Sequence, residues 1–189
     1  MSHSITWIDW FLSQPYGQIF CRIDQEFLKS HLNDGDIISQ FTNYKQAFDI
    51  VLSRSFRPKD NPRIENDAVN IYGLLHAKFL ETEPGLRSIL KKREETVFMK
   101  CPRYLCYKCT CIPIGIPSKF GKTGLFMYCP NCGDVYAPND PVTRKIDGGY
   151  FGSRYVKKML KSHPEITPNH EPEVHIPKIF GFDLAKAKK

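Results

Sequence analysis

The chain has 189 residues, of which 41% are hydrophobic and 25% charged, and its formal net charge is +7. That length suits one compact domain with an appendage, or two small domains sharing an interface, and that balance excludes wholesale disorder. No apolar run is long enough to cross a bilayer, the start Met1-Ser2-His3-Ser4-Ile5-Thr6-Trp7 has no secretory pattern, and no Asn-x-Ser/Thr sequon occurs. The expected compartment is therefore reducing, cytoplasm and nucleus. The positive charge asks mildly for a polyanionic partner; its lysines and arginines are scattered, which also describes an ordinary solvated surface.

The first hundred residues read as helical. Ser4 is placed to cap a short helix with an aromatic face of Trp7, Ile8, Trp10 and Phe11, ended by Pro15-Tyr16-Gly17. Asp24 begins a second through Phe27, Leu28 and Leu32, stopped by Asn33-Asp34-Gly35. Asn43 opens a third, with Tyr44, Ala47, Phe48, Val51 and Leu52 in one amphipathic stripe. After a link containing Pro58 and Pro62 comes the longest helix, with Ile64, Ala68, Ile71, Leu75 and Phe79 on one face. Pro84 opens a last short helix carrying Leu86, Ile89 and Leu90. Together these make a small orthogonal bundle.

Beyond Thr96 the pattern changes. Short β-like runs, Val97-Phe98-Met99, Leu125–Tyr128 and Asp134-Val135-Tyr136, flank paired cysteines and turns. From Ser153 a short helix with Val156, Met159 and Leu160 leads to a segment punctuated by Pro164, Pro168, Pro172 and Pro177, which must run extended.

Six of the seven cysteines fall between Cys101 and Cys132, and in a reducing compartment such clustering favours metal over disulfides. Cys129-Pro130-Asn131-Cys132 is a Cys-x-x-Cys knuckle, and four thiolates would close a tetrahedral zinc site of the structural kind. Spacing leaves the second pair open. Cys106 and Cys109 form the usual knuckle and are preferred on spacing; Cys101 and Cys106 make a wider one. Cys21 and Cys111 read as buried or idle thiols.

No catalytic constellation emerges. Gly121-Lys122-Thr123 ends like a phosphate-binding loop, but Gly115 stands one residue too far away for the cradle to form. His76 reads as a packed or surface residue on the longest helix. His163, His170 and His175 lie in the proline-rich tail, where no rigid frame holds a catalytic geometry. Nucleophile elbows, kinase catalytic loops and metalloprotease His-Glu pairs are absent.

The segment Cys101-Pro102-x-Tyr104-x-Cys106, then Ile112-Pro113-Ile114-Gly115, then Leu125-x-x-Tyr128-Cys129-Pro130-x-Cys132 closely resembles the signature of the casein kinase II regulatory (beta) subunit family. Trp7–Phe11, Ile19-Phe20-Cys21, Tyr72–Ala77, Gly149–Gly152, His163-Pro164-Glu165 and Phe180-Gly181-Phe182 look like further family segments in family order. The resemblance implies an α+β chain: a helical domain at 1–95, a zinc-ribbon-like dimerisation module at 96–152, and an extended tail at 153–189 that docks the kinase. It implies one structural Zn2+ per chain on Cys101, Cys106, Cys129 and Cys132. Dimer contacts would fall at Pro102, Tyr104, Val135 and Tyr136, and kinase docking at Ile179, Phe180 and Phe182.

The implied partners are casein kinase II catalytic (alpha) subunits, a second copy of the chain and the kinase's protein substrates. The implied assembly is a heterotetramer in which this subunit has no catalytic residue of its own. Nucleic acid is the runner-up partner, asked for by the charge and by aromatic residues near the knuckles, and is not expected. Two departures stand out. Where the family carries an acidic loop, this chain reads Ser53-Arg54-Ser55-Phe56-Arg57-Pro58-Lys59-Asp60, which makes polyamine activation doubtful. Ser2 and Ser4 precede Ile5-Thr6-Trp7 rather than acids, so autophosphorylation there should be weak.

Overall fold

Thr6, rather than Ser4, caps the first helix: its hydroxyl accepts the Asp9 backbone N–H at 3.1 Å and donates to the Asp9 carboxylate. The computed structural model describes residues 5–57, 61–95, 97–168, 173 and 175–183; Ser2, Ser4, Lys59 and His170 lie outside them. Helix α1 (Trp7–Ser13) buries Trp7, Ile8 and Phe11. Trp7 stacks on Phe11 at 5.1 Å and meets the edge of Tyr72 at 5.6 Å, so the aromatic face nucleates the core.

Asp24 caps α2 (Gln25–Ser30), accepting the Phe27 N–H at 2.7 Å. Helix α2 ends ahead of Asn33-Asp34-Gly35, the expected stop, and the same segment also opens the one-turn α3 (Gly35–Ile38), with Asp34 extended just before it. Its carboxylate turns to Lys78, which ties this junction to the longest helix. Helix α4 (Tyr44–Val51) buries Tyr44, Ala47, Phe48 and Val51 as its stripe requires.

Helix α5 (Pro62–Leu80) starts where Asn61 Oδ1 accepts the N–H groups of Arg63 and Ile64. It buries Ala68, Ile71, Leu75 and Phe79, and also Tyr72, His76 and Leu80. That wider buried arc marks it as the central helix, covered on two sides. Thr82 caps α6 (Glu83–Glu94), whose last turn carries Lys91, Lys92 and Arg93 where cations favour the helix dipole.

Three short antiparallel strands follow: β1 (Ile112–Ile114), β2 (Phe126–Tyr128) and β3 (Val135–Tyr136), in the order β1-β2-β3. Ile112 faces Tyr128 and Tyr128 faces Val135 in the register. Val97-Phe98-Met99 is not a strand; only Lys100 makes a single bridge, to Thr110. Strand β1, with Pro113 at its centre, was not among the expected β-like runs. Pro113 is tolerated because β1 is an edge strand, and its carbonyl accepts the Tyr155 hydroxyl from the next helix, α7 (Arg154–Ser162).

The 3-10 turn Gly148–Tyr150 joins the sheet region to α5. The Tyr150 ring lies over Gly73, where an added Cβ would sit 2.3 Å from it, so only glycine admits this approach. Helix α7 buries Tyr155, Val156 and Met159. A turn at Pro164–Ile166 follows, and then a hairpin, β4 (Lys178–Ile179) against β5 (Phe182–Asp183). Buried apolar residues from Trp7 to Ile166 form one cluster that includes the cysteine region. Among the described residues no helix is long and apolar enough to cross a membrane.

Candidate metal centre

Two tight loops bring four thiols together. In the first, the Cys106 N–H donates to the Arg103 carbonyl at 3.1 Å, and the Cys101 N–H to Cys109 at 2.8 Å. In the second, Cys129 N–H donates to Asp134 and Gly133 N–H to Cys129, both at 2.9 Å, with Gly133 at φ +73°. These bonds aim the side chains of Cys101, Cys106, Cys129 and Cys132 inward, and all four Sγ atoms lie within 4.8 Å of one another. An Arg103–Asp134 ion pair at 3.6 Å links the loops on the outside.

The spacings fit a four-thiolate metal. Cys101 and Cys132 Sγ are 3.8 Å apart, and Cys106 and Cys129 Sγ 3.6 Å. Zinc–sulfur bonds of about 2.3 Å in a tetrahedron put sulfurs about 3.8 Å apart. The same distances are far too long for disulfides, whose sulfurs lie about 2 Å apart. Four protein ligands complete a tetrahedron and leave no position for a substrate, so the centre is suited to holding the fold together.

Neighbours orient the sulfurs. Asn131 Nδ2 donates to Cys106 Sγ at 3.2 Å, and the Tyr136 hydroxyl lies 3.2 Å from Cys132 Sγ. Burial raises the Cys106 and Cys129 thiols above their ordinary range. Burial also raises Cys132, but the Tyr136 hydroxyl, the Asp134 N–H and the adjacent thiols outweigh it and bring it down to about 7. Metal binding must therefore displace protons from at least the two raised thiols.

Cys109, preferred on spacing, lies outside the cluster: its Sγ lies 3.8 Å from the Thr110 carbonyl and 4.0 Å from the Arg93 guanidinium. Its backbone carbonyl contributes instead, by accepting from Cys101. Cys21 and Cys111 are buried, and burial pushes both thiols up to about 12.

The other candidate residues take separate places. Beside the centre, Tyr104 is 94% exposed, Val135 44%, Pro102 is exposed and Tyr136 half-buried. On the hairpin, Phe180 is 96% exposed, Phe182 79% and Ile179 54%. Phe180 and Gly181 form its two-residue loop at φ +51° and +86°, the doubly left-handed turn that matches strand twist.

Sequence reasoning undervalued His76. It is fully buried: Nε2 accepts the Cys21 N–H at 2.9 Å, and Nδ1 donates to the Tyr150 carbonyl at 2.8 Å. A histidine bridging positions 55 and 74 residues away has no signature at short range.

A closed four-cysteine centre beside a helical body defines a protein with a structural-metal module rather than an open reaction site. Known proteins sharpen that class. The family model described as casein kinase II regulatory subunit matches residues 6–183. The chain is 32% identical over 181 residues to casein kinase II subunit beta of Schizosaccharomyces pombe, covering 94% of this chain and 78% of the relative. It is 31% identical over 188 residues to casein kinase II subunit beta' of Drosophila melanogaster, covering 97% and 85%. It is 32% identical over 188 residues to the beta' subunit of Saccharomyces cerevisiae, covering 95% and 72%. The chain belongs to the casein kinase II regulatory subunit family, whose members are non-catalytic.

Proposed function

We propose that this chain is a zinc-stabilised homodimer that binds two casein kinase II catalytic subunits and modulates their choice of substrate. The hairpin carries the reading. A two-stranded hairpin is marginal alone, yet this one holds Phe180 and Phe182 outward on either side of Gly181, at 96% and 79% exposure. Aromatic side chains preset on a short hairpin are anchors for a partner's apolar pocket, bound with little further loss of chain entropy.

The four-sulfur geometry supports zinc as the metal, because a closed all-thiolate tetrahedron suits that ion. Exposed Tyr104 and Val135, held beside the rigid metal loops, support a self-complementary contact between two copies that includes Pro102 and Tyr136. The regulator would act by contacting one kinase conformation better than another. Cytoplasm and nucleus remain the proposed locations, to be checked by imaging the tagged chain.

Calorimetric titration of the purified chain into a casein kinase II catalytic subunit tests the reading. One catalytic chain per protomer is expected, with binding weakened by about 2 kcal/mol or more in a Phe180→Ala/Phe182→Ala variant. Absence of binding by the unaltered chain would overturn it.

A further inference from the structure

The Gly121-Lys122-Thr123 segment, which cannot build a nucleotide-phosphate cradle, lines a shallow pocket of about 340 Å³ facing Arg144, Lys145 and Asp147. Two backbone bonds hold the two loops together: Leu125 N–H to Ile146 at 2.8 Å, and Gly148 N–H to Thr123 at 2.9 Å. Gly124 lies against this contact, where an added Cβ would stand 3.0 Å from the Arg144 carbonyl. The geometry therefore sets Lys122 opposite Arg144 and Lys145 on a fixed frame.

Charge across the pocket is unbalanced. Lys122, Arg144 and Lys145 are exposed, and none makes an ion pair among the described residues. Arg144 Nε donates to the Pro138 carbonyl, which orients its guanidinium; the Asp140 carboxylate, outside the lining, feels its charge but makes no ion pair with it among the described residues. Asp147 is the sole acid in the lining, and its two oxygens already accept the N–H groups of Gly121 and Gly149 at 2.7 Å each. By contrast, Arg154 and Lys158 on α7 are paired with Glu81 and Glu83.

We propose that this pocket is a docking site for an acidic peptide segment, one carried by proteins presented to the kinase. The reading as a kinase regulator supplies that last step, and the charge complementarity stands without it. Single-stranded nucleic acid fits less well, because it needs exposed rings on which bases stack. The ring beside this pocket, Phe120, is turned inward and stacks on Tyr150 at 5.8 Å.

The test uses the whole chain without kinase and a fluorescein-labelled octaglutamate peptide, read by anisotropy. The unaltered chain should bind it, more weakly as salt rises, and should not bind labelled octaglutamine. Lys122→Glu/Arg144→Glu/Lys145→Glu should weaken binding about tenfold or more. A control variant, Lys29→Glu/Lys157→Glu/Lys161→Glu, makes the same change in net charge on exposed lysines elsewhere that form no ion pair among the described residues, and should keep most of the affinity. Equal loss in both variants, no loss in the first, or tighter binding of a single-stranded oligonucleotide would overturn the proposal. Should the reversed variant fail to fold, Lys122→Ala/Lys145→Ala supplies the same comparison. With the catalytic subunit added, the pocket variant should raise KM for a substrate bearing an acidic extension and leave a short substrate unchanged. An unchanged KM for both, with peptide binding lost in the pocket variant, would overturn the substrate role while leaving the site. Failure of the kinase titration would overturn that role but not the peptide result.

Discussion

Acidification should weaken the fold through His76. The imidazole is wholly buried between the rings of Phe20 and Phe151, with centroids 4.9 and 4.8 Å away. Burial lowers its pKa from 6.5 to about 4; the Tyr150 carbonyl opposes that shift, and Lys92 adds to it. The unfolded chain binds the proton near 6.5 and the folded chain only near 4, so the unfolded state holds more protons between them. The contribution is fully present above about 6.5 and is lost as pH falls through this window. From about pH 7.5 to about pH 5 the loss amounts to about 2 kcal/mol, rising to about 3 kcal/mol at lower pH. Urea unfolding across this range measures it, with His76→Gln alongside. Glutamine keeps an acceptor and a donor but does not titrate, so carboxylates and metal thiols cancel in the difference between the two proteins. The variant should be less stable near neutrality, by about 1–3 kcal/mol, and its deficit should shrink on acidification. Parallel pH profiles for the two proteins would refute the reasoning.

Other outcomes follow from single contacts. Gly73→Ala would drive a methyl to 2.3 Å from the Tyr150 ring, so a loss of about 1–3 kcal/mol is expected in thermal melts; an unchanged melt would show that the turn yields freely. Elemental analysis should find one zinc per chain, lost in Cys129→Ser and kept in Cys109→Ser, since only Cys129 points into the cluster. Zinc binding should release protons, measured in buffers of different ionisation enthalpy, because burial holds the Cys106 and Cys129 thiols in their neutral form. Gly181→Val puts a β-branched residue at φ +86° in the hairpin loop, so kinase affinity should fall by about 1–2 kcal/mol while the melting of the body stays unchanged.

Much of the fold was legible locally. The Asp24 cap, the Pro84 start of α6 and the stripes of α4 and α7 follow from side-chain chemistry and helical period, which need no distant partner. The failures share one cause. Asn33-Asp34-Gly35 marked the end of α2 but not the start of α3, where Asp34 meets its Lys78 partner 44 residues on. Strand β1 was missed, and a central Pro113 is admitted there because the sheet order places β1 at an edge. The flat basic reading of the surface hid Lys122, Arg144 and Lys145, which are distant in sequence and face one another only across paired loops.

Thiol number, pairing in knuckles and the family signature together were enough to point to a four-cysteine metal module in a regulatory subunit, because ligand identity and tight-turn spacing are local properties. Spacing favoured Cys109 over Cys101 as the partner of Cys106, and only the resemblance implied Cys101. The folded loops give the physical reason: Cys109 gives its carbonyl to the Cys101 N–H and turns its sulfur away, while Cys101 reaches Cys132 at 3.8 Å. Nor could sequence reveal that His76 ties the segment at Cys21 to the turn at Tyr150 through α5. That depends on three stretches meeting where water is excluded, which is a property of packing.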